Sequence, residues 1–343
     1  MGIKPIDFGA RMCELLFVAS GFLVGYNYYK TPMDADFKTS VKYLWKKIRV
    51  IWPLHIIVLL LVINRNYESL AGHFDATMGG TLAANAFLLQ AWSNKSAVYF
   101  SFNGVTWFLS AILFCYALSP FLLLSIRKKR YAAVAFVLFA TIRIVLDIWA
   151  KNGAKVFPLD FHVNPVIRCL EFGMGMTVVP FVFLIKEKLD AHQHKVWFKS
   201  TFTIVEIGLP ILTYFLMLWY EGVWTRGTFA LLFVAVIFLS AFDYGYIACL
   251  CHFSAVQKVF ACELEMFIPQ TILNYHIKRF FALVNWTFPT NVFATFLIKI
   301  LIIFVIALLY KKCFEGFLAN GMDRLARLGR RLINIPDRFK KAS

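Results

Sequence analysis

The chain has 343 residues, of which 60% are hydrophobic, 17% aromatic and only 16% charged, with a net charge of +17 and a mean hydropathy of +0.67. A soluble domain of this length carries more charge and less apolar surface, so a soluble globular enzyme is excluded. In a chain this apolar, the excess of Lys and Arg reads as basic loops on the cytoplasmic face of a membrane and not as a nucleic-acid surface.

Apolar runs long enough to cross a bilayer, or nearly so, fall at 11–29, 47–64, 105–126, 131–150, 166–185, 201–220, 226–243, 259–283 and 292–314. They predict an all-α, polytopic transmembrane helical bundle of about nine spans. The run from Gly80 to Trp92 is too short at the helical rise and is expected not to cross. One transmembrane domain is expected over 1–317, followed by a basic cytoplasmic tail over 318–343. In that tail Leu325, Leu328 and Leu332 recur at helical spacing among arginines, a pattern suited to an anionic inner leaflet or to plain solvation. The early lysine and first apolar run resemble a signal peptide only loosely. No small-residue cleavage site follows, so a retained helix is expected.

Loop charge sets the expected orientation. Lys30, Lys38, Lys42, Lys46, Lys47 and Arg49 form a basic stretch expected as a loop before the second span. Arg127 to Arg130, Lys186, Lys188, Lys195, Lys199 and the tail continue the series, and all are expected inside a cell membrane. The Lys- and Arg-poor loops at 65–104, 151–165, 221–225 and 284–291 are expected outside. Nine spans with an inside C-terminus put Met1 outside. That parity predicts one further helix before Met1, ten in all.

The seven cysteines lack metal-ligand spacing, Cys249 and Cys251 forming a lone pair one residue apart, so free thiols and no metal site are expected. Glycine loops that cradle phosphate and the common hydrolase signatures are absent.

Ionisable residues inside spans carry more information, because lipid tolerates them only where they are paired or wet. Glu14 lies in the outer part of the first helix. Arg143 and Asp147, four residues apart on the fourth, share a face and can pair, as a structural ion pair or a functional one. Arg168 and Glu171 open the fifth helix. Asn103, Trp107 and Ser110 open the third, where Asn103-Gly104 also suits a turn and Trp107 an interfacial belt. These residues fall at a common outer depth, with Lys278 and Arg279 of the eighth helix. Lys46, Lys47 and Arg49 fall at the inner surface. The histidines, His162 among them, show no partner in the sequence and are expected to be structural or solvated.

Several stretches, in order, resemble the membrane acyltransferase 3 family, integral-membrane enzymes that O-acylate surface glycans. Glu14 to Leu23 resembles its acidic "L-F-F-V-x-S-G-F-L" helix, and Lys46 to Leu54 its basic entrance ending in Pro-Leu. Leu88 to Trp92 with Asn103 to Ser110 resembles its "L-L-Q-S-W … N-G-x-x-W-F-L-S" region. Arg168 to Met176 resembles "R-x-x-E-F-x-x-G-M", Glu265 to Ile268 a late "E-x-F-L", and Tyr310-Lys311 with Glu315 a closing "Y-K-x-x-E". The family begins with one more helix, whose histidine is held to be catalytic, and that helix has no counterpart here. Arg49 stands one place from the family's second cation, and Pro269 replaces a late histidine.

The resemblance implies a membrane O-acyltransferase that moves acetyl from acetyl-CoA to a hydroxyl of a cell-surface or exported glycan. It implies no bound cofactor, acetyl-CoA or another acyl-CoA being the donor substrate. Candidate roles follow: Glu14, Arg143 and Asp147 at the chemistry, Lys46, Lys47 and Arg49 on the donor phosphates, and Asn103, Trp107, Ser110, Arg168 and Glu171 on the acceptor. The partners are the bilayer, the glycan and the acyl-CoA. A transporter of a glycan or lipid intermediate is the rival from another class. An inactive family member serving as a partner subunit is the third reading.

Overall fold

The structure, a computed structural model, describes residues 8–67, 75–151, 160–192, 194–219, 226–285 and 291–333. Helices and turns account for all the regular structure among these residues. The loop expected at 221–225, His73, and the basic residues Arg338, Lys340 and Lys341 lie outside them.

Among the described residues, six segments are long and apolar enough to cross a membrane: Phe37–Arg65, Gly104–Ile126, Lys129–Ala150, Pro165–Leu189, Val196–Leu218 and Val292–Leu328. The other three expected spans differ for identifiable reasons. The first lies on α1 (Phe8–Tyr28), a helix of 21 residues that carries Arg11 and Glu14. In the span expected at 226–243 the described residues form a shorter apolar helix, Thr228–Ser240. The span expected at 259–283 is broken, because Cys262 and Ile268-Pro269 interrupt it and Pro269 supplies no backbone N–H.

The basic stretch expected as a loop is instead helical. From Lys38 to Arg49 it forms the first half of α2 (Phe37–Arg65), about 44 Å long at 1.5 Å per residue, while Lys30 precedes the helix. Neither Gly nor Pro interrupts it before Pro53. Asp36 fixes its start, accepting from Thr39 N at 2.8 Å and from Thr39 Oγ1 at 2.9 Å.

The chain forms two compact units. The first comprises Met1–Leu44, Leu88–Tyr99 and Trp107–Gln257. It holds α1, the short α4 (Ser96–Tyr99), α5 (Trp107–Leu122), α6 (Lys129–Lys151), α7 (Pro165–Thr177), α8 (Val179–Leu189), α9 (Val196–Trp219) and α10 (Arg226–Ser240). Within it α1 packs mainly on α7 and then on α10, while α7 also touches α5 and α6. Two glycines set the α1–α7 approach. A Cβ on Gly21 would collide with the Phe172 carbonyl oxygen, and one on Gly175 with that of Val18. The helices therefore meet backbone to backbone, as small residues permit in membrane bundles.

The second unit comprises Trp45–Phe87, Phe100–Thr106 and Lys258–Ser343. It holds most of α2, α3 (Ala76–Ala86), α13 (Glu263–Phe267), α14 (Gln270–Leu283), α15 (Val292–Tyr310) and α16 (Gly316–Ile333). The short α11 (Tyr246–Cys251) belongs to the first unit, and the boundary falls within α12 (Ser254–Phe260). With 11 residues α3 spans about 16 Å, too short for a bilayer. Its last carbonyls are held by α2, since Trp52 Nε1 donates to Ala86 O at 2.8 Å and His55 Nε2 lies 2.8 Å from Asn85 O. The expected tail begins as α16, which continues α15 through a π-helical turn over Lys311–Glu315. Its described residues belong to this unit.

Candidate functional site

The first unit buries five charged side chains in one cluster. Glu14, Arg143, Arg168 and Glu171 have no exposed surface and Asp147 has 7%. Helix α6 supplies Arg143 and Asp147, α7 supplies Arg168 and Glu171, and α1 supplies Glu14. Glu171 is the hub. It accepts from Arg143 Nε at 2.9 Å and from Arg168 Nη1 at 2.9 Å and 2.7 Å. Arg143 Nη1 also donates to Asp147, so the i,i+4 pair expected from sequence does form. With every group ionised, three carboxylates against two guanidiniums leave one negative charge.

Glu14 is the least compensated of the three carboxylates. Both oxygens of Glu14 are buried without a hydrogen-bond partner, and Oε1 lies 3.9 Å from Arg168 Nη1. A buried carboxylate needs compensation, and a 3.9 Å ion pair supplies only part of it. Among the described groups of the cluster, Glu14 retains acceptor capacity.

Aromatic rings wall this corner. The Arg168 guanidinium carbon lies 5.7 Å from the centroids of both Phe17 and Trp107, within cation–π range. The Phe17 and Trp107 rings stack at 6.4 Å. His162 closes the wall with its ring 4.8 Å from that of Trp107.

His162 was set aside in the sequence for want of a partner, and Arg168 is that partner. Arg168 Nε donates to the His162 carbonyl oxygen at 2.6 Å, and Nη2 lies 2.9 Å from His162 Nδ1. A guanidinium only donates, so Nδ1 accepts and the neutral imidazole carries its proton on Nε2. In this tautomer Nε2 is a donor.

The turn bearing His162 is fixed locally. Asp160 Oδ1 accepts from His162 N at 2.6 Å, and Asp160 Oδ2 accepts from Tyr99 Oη–H at 2.9 Å. Asn164 caps α7, accepting from Val166 N at 2.8 Å and from Ile167 N at 3.4 Å, with Pro165 in the first turn. A hydrogen-bonded chain therefore runs Tyr99, Asp160, His162, Arg168, Glu171, Arg143, Asp147. Burial, with Asp160 adding, pushes the Tyr99 hydroxyl up to about 12.

The remaining sequence candidates are elsewhere. Ser110 is buried and its Oγ accepts from Ala91 N at 3.4 Å, holding the turn at Gln90–Trp92. Asn103 belongs to the second unit, where its Nδ2 donates to Ile268 O at 2.8 Å and its Oδ1 is buried without a partner. Lys46, Lys47 and Arg49 lie on α2 in the same unit. Lys46 is exposed and Lys47 half-buried. Arg49 Nη1 donates to Asp323 Oδ2 at 2.6 Å, and Trp45 Nε1 donates to Asp323 Oδ1 at 2.9 Å. One carboxylate on α16 thus already occupies the arginine expected to meet an anion.

The described residues contain no group of three or more His, Cys, Asp or Glu able to hold a metal. Comparison with protein-family models, with curated proteins and with solved structures finds no match to this chain.

Proposed function

We propose that the chain is a membrane O-acyltransferase acting on a glycan hydroxyl, with acetyl-CoA as donor, in a bundle of about nine crossings whose basic ends face the cytoplasm of a cell membrane. One observation carries the reading. Three stretches that resemble the acyltransferase 3 family, distant in sequence, contribute Glu14, Trp107, Arg168 and Glu171 to one buried cluster.

The chemistry follows from what each group offers. The acceptor hydroxyl oxygen attacks the thioester carbonyl, the carbon–sulfur bond breaks, and the thiolate leaves to take up a proton. Glu14, with unpartnered oxygens, accepts the hydroxyl proton. Arg168 donates to the oxyanion that develops on the carbonyl, with His162 positioned against it. Glu171, Arg143 and Asp147 hold Arg168 in place. Trp107 is assigned to the acceptor, as the resemblance implies. The donor's phosphates are assigned to Lys46, Lys47 and Arg49 of the second unit.

The test is acetyl transfer from labelled acetyl-CoA in membranes carrying the Lys47→Ala/Arg49→Ala variant. Loss of transfer, with the protein still folded, is expected. Unchanged transfer removes the donor site from the account.

A second reading draws on the closure of the cluster. Arg143 and Arg168 are fully buried and paired, as a structural brace would be, and such a brace fits an inactive partner subunit. Full stability together with lost transfer on Glu14→Gln argues against it, because a brace has no use for a carboxylate that makes no hydrogen bond.

A further inference from the structure

The second unit contains a half-open cavity of about 710 Å³ formed by α13, α14 and α15. Its walls include Phe296, Ile300 and Ile303, and the ionisable residues lining it are Lys278, Lys299 and Glu263. Two ammonium groups against one carboxylate leave the lining at +1.

Lys299 is unusual for its place in the chain. It sits in α15, within the most apolar of the six candidate spans. Along the helix it lies about 10 Å from Val292, and Lys278 lies about 8 Å from the end of α14 at Leu283. The connection between these two helices is short, so both lysines sit near the same end of the pair. That distance suits a long side chain lifting its charge to headgroup level. Deeper than these lysines, Ile300 and Ile303 continue the wall with hydrocarbon.

We propose that this groove binds one anionic phospholipid of the bilayer, with the phosphate on Lys278 and Lys299 and an acyl chain along Phe296, Ile300 and Ile303. Charge decides against a zwitterionic lipid, whose added cation would meet two lysines. The apolar wall decides against a free anion, which would leave it uncovered. The inference is independent of the acyl-transfer reading, since none of these residues belongs to the buried cluster of the first unit.

The experiment is native mass spectrometry of the detergent-purified protein exposed in turn to phosphatidylglycerol, phosphatidylcholine and diacylglycerol. Wild type is expected to retain phosphatidylglycerol about tenfold better than either other lipid, and Lys278→Gln/Lys299→Gln to lose that preference. The Lys278→Arg/Lys299→Arg variant keeps both charges and is expected to keep the preference. Thermal unfolding of both variants in detergent, unchanged from wild type, separates lost binding from lost folding. Equal retention of all three lipids by wild type overturns the proposal. An undiminished preference in a folded glutamine variant does so too. Displacement of the lipid by millimolar inorganic phosphate alone, with Ile300→Ser without effect, makes the groove a plain anion site and overturns it as well.

Discussion

Arg168 grips His162 twice, through the backbone carbonyl at 2.6 Å and the ring Nδ1 at 2.9 Å. The planar guanidinium satisfies both from one position while Nη1 holds Glu171. An ammonium in its place is a point charge and cannot reproduce that fork. Arg168→Lys is therefore expected to keep the fold but release the His162 ring. On the acyl-transfer reading, activity then falls on the order of 100-fold, as when an oxyanion donor is lost. The check is a nitrogen-15 spectrum of the imidazole beside the transfer rate. Wild type should show the Nε2–H tautomer, and the variant a mixture.

Arg143 separates breaking an ion pair from replacing it. Arg143→Met leaves Asp147 buried opposite an apolar chain and removes one partner of Glu171, which is expected to cost about 3–5 kcal/mol. Arg143→Met/Asp147→Leu removes that carboxylate as well and should recover part of that loss. Denaturation of the two variants in detergent measures the difference. Equal stability of the single and double variants would contradict the charge account.

The helix crossing makes a steric prediction. Gly21→Ala and Gly175→Ala each push a methyl into a facing carbonyl. Since backbone cannot swing away as a side chain can, each is expected to cost about 1–3 kcal/mol. Gly208→Ala, on α9 with nothing within 4 Å of a new Cβ, should be neutral or stabilising by up to about 1 kcal/mol through helix propensity. Melting temperatures of the three variants test the contrast.

Tyr99 gives a pH dependence. Its folded hydroxyl titrates at about 12, above the usual tyrosine value near 10. The neutral form is therefore favoured by folding. The stabilisation is fully present below about pH 10 and is lost as pH rises through about 12. Tyr99→Phe should lose about 0.5–1.5 kcal/mol for the hydrogen bond and flatten that alkaline limb. A limb of the same steepness in the variant assigns it to other groups.

Asp323 stands where a donor phosphate is proposed, on Arg49. Asp323→Asn frees the guanidinium and removes a like charge from the phosphate's path. Acetyl-CoA binding measured by calorimetry is expected to tighten several-fold, and unchanged or weaker binding moves the donor site away from Arg49.

Much of this is legible in the sequence, for reasons that differ residue by residue. Arg143 and Asp147 are four apart on a helix, so local geometry alone pairs them. Glu14 cannot be left in lipid, so its burial in protein follows from its charge. The partnership of Glu171 with Arg143 is not legible, because it depends on which faces of α6 and α7 meet. His162 shows why lone histidines mislead: its partner lies six residues on and acts through a turn closed by Asp160. The Asn164-Pro165 helix start beside it was a readable signal. Charge alone makes the basic stretch before Pro53 look like a loop, but no breaker separates Phe37 from Pro53 and Asp36 is a ready cap. The break at Pro269 was visible as a proline within an apolar run.

The most direct measurement is base-labile acetyl ester formed on glycan from labelled acetyl-CoA, in membranes carrying wild type or Glu14→Gln at matched levels of folded protein. The account predicts label that depends on the wild-type chain and falls about 100-fold or more in the variant. Label that is equal in both, or no chain-dependent label at all, would contradict it.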